Sequence, residues 1–428
     1  MTKVLTMRLI PALMMAGFAG VASASGFQLM EQNASGLGNA FAGAGAVTEN
    51  ASVMFYNAAG IGFLPAGKSL SFGGNYINLS AKFHNTGSTA PTGQALGGEG
   101  GNAGGGALVP NGYFAMSINP QWSVGVGLGA PFGLKTEYSN DWMGREQGVT
   151  SDIKTVNLNP TVAYKPIDSL SVGVGLNYQR IDAKLTSMAN VFAATSGALS
   201  GEVLNSIEGD DTGWGWNAGI LWKVSPATRV GFSYRSTVKY HLTGTRQSAA
   251  TASGALNSAL NGNIYADIKL PDTASLSVHQ VLSDKWEMMG DATWTGWTSM
   301  QDLTIYRAET NAIHVQNLYN WKNSWRIGLG GKYHYSDSVK LKFGVAYDNT
   351  PIPDERRAVR LPDESRIWLS FGTQYLPSKT SAIDLGLSYL FIKDPKISSN
   401  GDSTYKGTVV GDYSSNVWIL GAQYSMSF

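Results

Sequence analysis

The sequence has no cysteine among its 428 residues. Disulfide staples, cysteine nucleophiles and thiolate metal sites are therefore excluded. Charge is scarce too. Asp, Glu, Lys and Arg make up 14% of the chain, against about 25% in an ordinary soluble protein. The signs balance at 31 basic and 30 acidic residues, so there is no basic excess for nucleic acid. Past residue 24 no apolar run reaches the ~18 residues that a membrane helix needs. The five histidines, His84, His241, His279, His314 and His334, show no metal-ligand spacing. No Gly-x-Ser-x-Gly element is present. Gly36-Leu37-Gly38 is followed at the third glycine position by Phe41, so a dinucleotide loop fails as well. Neither enzyme chemistry nor any cofactor is implied.

What the chain does have is glycine, 52 residues of it, 12 tryptophans and a strict alternation. Residues 1–24 read as a secretory signal: Lys3 and Arg8, an apolar run from Leu9, then Ala22-Ser23-Ala24. Beyond residue 66 bulky apolar side chains fall on every second position. Trp122, Val124, Val126 and Leu128 alternate with Ser123, Gly125 and Gly127. Val172, Val174, Leu176 and Tyr178 alternate with glycine, Asn177 and Gln179. Trp214, Trp216, Ile220 and Trp222 continue the pattern, as do Ile383 to Phe391 and Trp418 to Phe428. Each run is about the 9–11 residues that cross a bilayer when tilted. A soluble sandwich would carry Lys and Glu on its outer face. Backbone groups in lipid need internal partners, so a spanning sheet has to close on itself.

Six tight connections (near Asn119-Pro120, Pro166-Asp168, Ser225-Ala227, Ser283-Asp284, Ser336-Asp337 and Pro377-Lys379) alternate with seven long ones: Asn85–Ala107, Thr136–Ser151, Ser187–Thr212, Gln247–Gly262, Ala308–His314, Thr350–Glu364 and Asp394–Gly411. This count predicts an all-β fold, a 14-stranded antiparallel transmembrane barrel over residues 67–428. Such a barrel is too wide for its own side chains to fill. The stretch 25–66, SGFQLMEQNASGLGNAFAGAGAVTENASVMFYNAAGIGFLPA, has neither strand nor helix periodicity and fits the role of an N-terminal hatch inside the lumen.

The order GFQL, SGLGNAFAG and YNAAGI in that stretch resembles the hatch of the FadL family of outer-membrane transporters. Two further segments, Phe343 to Tyr375 and Gly213 to Trp222, carry the same likeness. The resemblance implies a bacterial outer-membrane location and passive transport of hydrophobic compounds, long-chain fatty acids first and aromatic hydrocarbons second. One departure is Asn57-Ala58-Ala59, where the family usually has Asn-Pro-Ala and the turn that proline fixes.

From these readings come the candidate sites. Phe27, Leu29, Asn57, Ala58 and Ala59 are placed at a ligand pocket against the hatch. Pro131, flanked by Ala130, Phe132 and Gly133, interrupts a central strand and is read as a kink that opens the wall sideways. The resemblance implies such a kink in the third strand. Parity puts Arg235, Lys322, Arg326 and Asp348 in the lumen, because a charge facing lipid would cost ~2–4 kcal/mol. An internal ion pair is the plain role of each; the functional reading is that one basic group among them meets a ligand carboxylate. The positions matching basic pocket residues of the family are neutral here, Ser187 and Asn317. Trp142, Met143, Phe192 and Leu199 are expected at an external groove, with the 187–212 loop spaced as a helix. Trp122, Trp222, Trp286, Trp368, Trp418 and Tyr389 read as interfacial girdles. The expected partners are a hydrophobic small molecule and outer-membrane lipid, with no nucleic acid, and the chain acts as a monomer. An outer-membrane lipid enzyme, a general porin and an adhesin are the rival classes.

Overall fold

A computed structural model describes residues 26–249, 251, 253–400 and 405–428. The expected signal at 1–24 lies outside them. Twenty strand segments form one sheet. Six of the strands are interrupted by a short break, so the segments make fourteen strands. They are β1 (Lys68–Asn85), β2 (Gly106–Ser117), β3 (Trp122–Gly129 and Gly133–Glu137), β4 (Thr150–Ile167), β5 (Leu170–Asn190), β6 (Glu202–Ser225) and β7 (Thr228–Arg235 and Val238–Ser248). There follow β8 (Gly262–Leu270 and Thr273–Val281), β9 (Trp286–Thr295 and Asp302–Arg307), β10 (Ile313–Leu318 and Ser324–His334) and β11 (Val339–Asp348). The last three are β12 (Arg366–Ser378), β13 (Ser381–Ile392 and Lys396–Asn400) and β14 (Thr408–Ser427). Every pairing between neighbouring strands is antiparallel, and β14 returns to β1 in register from Ser69↔Ser427 to Asn85↔Gly411. The barrel is closed.

Alternation decides which way each side chain points. Trp122, Trp214, Trp222, Leu329, Phe371 and Leu385 are exposed on the outer wall, while Ser123, Asn177, Asn217, Lys342 and Asp384 are buried on the inner one. Trp368 departs from the girdle expectation. Its neighbours Ile367 and Leu369 face out, so parity turns Trp368 inward, where it is fully buried beside Phe41 and the Arg326 guanidinium. The 187–212 stretch also departs from the helix expectation. It is mostly an extended hairpin, paired from Leu185↔Ile207 out to Asn190↔Glu202, with only Val191–Ala194 helical. Ladder bonding between two long adjacent strands outweighs a weak apolar periodicity.

Residues 26–66 form only short turns: Leu37–Asn39, Val53–Tyr56 and Ala58–Phe63. They lie inside the barrel. Leu29, Leu37 and Phe41 pack on Ile77, Val109, Leu390 and Ile419 of the inner wall, and Val53, Met54 and Ile61 pack on Tyr113 and Ala163. The inward glycines of the alternation now have a cause. A Cβ on Gly344 would collide with the Asn39 backbone, and one on Gly173 with the Ala58–Ala59 peptide. The wall is shaved to backbone where the segment touches it.

The candidate functional site: two chambers and a broken wall

With so little secondary structure, the inner segment must find other partners for its backbone polar groups. The inner wall supplies them. Gln423 accepts from Ala34 N at 3.0 Å, and Asn75 donates to the carbonyls of Glu31 and Asn33 at 2.9 and 3.0 Å. Ser171 donates to Ala59 O at 2.8 Å, and Tyr113 to Gln32 O at 2.7 Å. Asn57 holds the turn that no proline fixes. Its Oδ1 accepts from Ala59 N at 3.0 Å, and its Nδ2 donates to Gly45 O and Ile220 O at 2.8 and 3.0 Å. Ala58 and Ala59 are buried against the wall below this turn.

The segment carries two charges, Glu31 and Glu49. Glu49 meets Lys332 and Lys342, the latter at 3.2 Å. Lys342 also reaches Asp384 at 2.8 Å and Ser35 O at 2.9 Å, and Lys332 reaches Glu287 at 3.0 Å. All the wall members sit near the short-turn end, which is the periplasmic end of a bacterial barrel.

The break in β3 falls at 130–132, where Ala130, Pro131 and Phe132 leave the strand. Below it, β3 pairs with β2 from Gly112↔Leu128 to Ser117↔Ser123. Above it, Gly133–Glu137 pairs with β4 alone, and residues 106–111 of β2 pair only with β1. The wall is thus unzipped between β2 and β3 on the outer side of Pro131. The freed groups are taken up from inside. Leu29 N donates to Pro131 O at 2.8 Å, Gly133 N donates to Phe27 O at 2.9 Å, and Gln28 faces Phe132 as an antiparallel bridge. Gln32 clamps both polar groups of Ala130, at 3.0 and 2.7 Å. Thr155 Oγ1 accepts from Phe132 N at 2.9 Å and donates to Phe132 O at 2.7 Å.

Two chambers flank this contact. The upper one is lined mainly by apolar groups, among them Leu134, Ile153, Ile181, Leu270, Met300 and Trp321, with Phe27 as a wall. The lower one lies between the segment and the wall and is more polar, with Gln28, Asn217, Ser275, Thr293 and Arg235 alongside Phe132 and Pro131. An aromatic partition separates them: Phe27 stands 5.8 Å from Phe132, 5.1 Å from Trp297 and 6.1 Å from Trp321 between ring centroids.

Of the lumen charges, Arg326 pairs with Asp291 at 3.2 Å and donates to Ala40 O. Arg235 donates to Asn177 and to Phe55 O, and stacks 4.4 Å over the Phe55 ring. Asp348 is buried in register between Arg326 and Arg366. Lys322 lies in the break of β10 and is exposed, away from the others. Trp142 and Met143 are buried in a loop core, Trp142 stacked on Tyr138 at 3.9 Å. Phe192 and Leu199 remain partly accessible on the hairpin. Several chamber residues were missed by the sequence reading: Trp297, Met300, Trp321 and Arg360. They come from breaks in β9 and β10 and from the loop before β12. Pro271 inside β8 was the one available signal.

The chain matches, over residues 15–428, the family described as outer membrane protein transport protein (OMPP1/FadL/TodX). It is 29% identical to a long-chain fatty acid transport protein of Escherichia coli K12, with 94% of each chain covered. It is 30% identical to outer membrane protein P1 of Haemophilus influenzae, with 87% of each covered. Among solved structures, a Pseudomonas aeruginosa FadL homologue superposes with a TM-score of 0.87 at 25% identity, covering 94% of this chain and 100% of that one. The Pseudomonas putida toluene transporter TodX shares the fold with a TM-score of 0.70 at 17% identity, covering 94% and 99%.

Proposed function

This chain belongs to the OMPP1/FadL/TodX family of outer-membrane transport proteins and resides in the bacterial outer membrane, and we propose that it takes up long-chain fatty acids passively, as a monomer and without enzymatic chemistry. The observation that carries this reading is the alignment of three features along one path. An apolar chamber lies under the external loops, an aromatic partition closes its floor, and the wall is unzipped at Pro131 beside the second chamber. A ligand entering the upper chamber meets Phe27. Movement of residues 26–32 opens the partition and uncovers the break, and the ligand leaves sideways. An apolar molecule thereby avoids crossing a wet pore. The segment plays the part of a hatch: the rest of it stays pinned by the wall, and its first residues swing. Identity to the E. coli fatty acid transporter over nearly the whole chain supports the substrate class.

The test uses the absence of native cysteine. Gln28 and Phe132 face each other as a non-hydrogen-bonded antiparallel pair. Such pairs approach to about 4.5 Å between Cα atoms, within disulfide reach. Gln28→Cys with Phe132→Cys should take up labelled oleate when reduced and lose most uptake when oxidised, in cells lacking their own transporter. Unchanged uptake after verified oxidation sinks the swinging segment. No oleate uptake by the folded wild-type protein sinks the fatty acid assignment, and strong blocking of uptake by toluene widens it to hydrocarbons.

A further inference from the structure

Arg360 stands where the apolar upper chamber meets an outer, polar one. It borders both, as do Tyr319, Arg356 and Ala358. The outer chamber adds Gln147, Gln316 and Lys406, and its lining is mainly polar. The junction is therefore amphipathic: hydrocarbon-like below, polar and basic above.

The guanidinium of Arg360 is held in place but not neutralised. Nη1 donates to Thr150 O at 2.8 Å and to Ser151 Oγ at 3.2 Å, and Nη2 donates to Thr186 O at 2.9 Å. All three acceptors are uncharged. Arg360 is half-buried. Four fully buried arginines have acids: Arg145 has Glu202, Arg326 has Asp291, Arg357 has Glu364 and Arg366 has Asp363. Arg246 is buried without one, but its Nη1 is spent on His314 and its Nη2 on Asn261 O. Among the described residues no carboxylate lies within ion-pair distance of Arg360. Arg235 also lacks one, but its two terminal nitrogens and its flat face are engaged by Asn177, Phe55 O and the Phe55 ring. Arg360 keeps Nε–H and one Nη2 hydrogen, which together make the side-on fork that fits a carboxylate. A guanidinium withdrawn from water without a counter-charge is costly. Burial pulls Arg360 down to about 10, which still leaves it charged at neutral pH.

We propose that Arg360 is the head-group anchor of this transporter: its free fork binds the carboxylate of an anionic amphiphile whose hydrocarbon chain fills the upper chamber. This rests on the transport reading above and narrows it. The anchor comes from the loop before β12, not from the inward faces of the strands, where Arg326, Lys332, Lys342 and Arg366 are spent on ion pairs. Its three neutral acceptors serve as a mount. Thr150 and Ser151 open β4 and Thr186 lies in β5, so the guanidinium is fixed to the rim of the barrel while the loop supplies the charge. Arg356, exposed at the same rim, adds attraction at longer range.

The experiment compares two ligands of one chain length, oleate and oleyl alcohol, binding to the full chain in lipid nanodiscs. The wild-type protein should prefer oleate. Arg360→Gln should weaken oleate by about tenfold, the usual worth of a charge-assisted contact, and leave the alcohol within about twofold, as expected of an apolar chamber left intact. Arg360→Lys should fall between, since it keeps the charge but loses the fork. Retention of the compact gel mobility of an unboiled barrel shows that each variant is folded. If oleate is unaffected in Arg360→Gln, or both ligands weaken equally in Arg360→Gln and Arg360→Lys alike, the anchor assignment is overturned while the transport reading stands. If the wild-type protein binds neither ligand, both fall.

Discussion

The lower and upper belts of the wall are built to different rules. In the lower belt, on the periplasmic side, each strand from β6 to β11 pairs with its neighbour: β6 with β7 (with one register shift at Lys223–Ser225), β7 with β8, β8 with β9, β9 with β10, and β10 with β11. In the upper belt β7, β8, β9 and β10 are interrupted at 236–237, 271–272, 296–301 and 319–323, and β3 at 130–132. Contacts to the inner segment follow the division. The lower belt holds it by ions and hydrogen bonds, through Lys332, Lys342, Asn75 and Gln423. The upper belt touches it through aromatic rings, at Phe132, Trp297 and Trp321, and through the hydrogen bonds of residues 27–32 to the break in β3. Directional polar contacts have one good geometry, whereas ring contacts tolerate sliding. The proposed swing of the first residues therefore belongs to the upper belt, where ring contacts meet the segment, while ionic contacts hold it at the periplasmic end.

The lower belt is where the largest effects should appear. Lys342→Met strands Asp384, buried, and removes one of the two lysines at Glu49. Breaking one side of a buried pair costs about 3–5 kcal/mol. The unfolding midpoint in urea should drop accordingly. Glu49→Gln is the sharper tool. Lys332 keeps Glu287 and Lys342 keeps Asp384, so the wall survives while the segment loses its ionic tether. Ion conductance in planar bilayers should rise from near zero in Glu49→Gln, with the urea midpoint falling less than in Lys342→Met. Low conductance in both variants would erase the distinction between a pinned and a mobile part.

A smaller effect is expected at the boundary of the belts. Thr155→Val keeps side-chain shape but removes the hydroxyl that accepts from Phe132 N and donates to Phe132 O. Two lost hydrogen bonds at a break already short of strand partners should cost about 1–3 kcal/mol. If the break is the exit, the cost falls on the closed form and oleate uptake rises or holds. A large loss of uptake in a folded Thr155→Val protein would mean that the break has to stay rigid.

How much of this was legible in the sequence differs between the belts for the same reason. Period-2 alternation is a property of single strands, so Trp122, Trp214 and Phe371 could be set on the outer face, and fourteen strands counted, from the chain alone. The inner segment stood out by lacking that period. The breaks are another matter. Pro131 and Pro271 announce themselves, because proline gives up a ladder bond. Ser236-Thr237 and 319–323 carry no such mark; their interruption depends on what the neighbouring strand offers. Trp368 was misassigned by its residue type when its parity had the answer. Arg360 was illegible because an arginine's meaning depends on whether an acid from elsewhere in the chain stands beside it, and loop sequences do not disclose that.

The external loops give the smallest and most selective test. Arg145, in the loop after β3, donates to Leu96 O, Trp142 O and Ala95 O at 3.2, 3.1 and 2.9 Å and pairs with Glu202 at 2.8 Å. It clasps three loops above the break. Glu146 beside it is buried, and its carboxyl is pushed up to about 8, first by desolvation and then by the Glu202 carboxylate facing it. An acid raised in the folded state binds its proton more tightly there than in the unfolded chain. The clasp is therefore most stable below the ordinary glutamate range and weakens as pH rises through it to about 8, levelling off above. Hydrogen exchange of the amides around Trp142 and Met188 should accelerate across that window in the wild-type protein, while the lower belt does not respond. Glu146→Gln should remove the dependence and hold the loops at their low-pH protection. Equal pH response in both proteins would show that the proton acts elsewhere, and the upper belt would lose its separate seal.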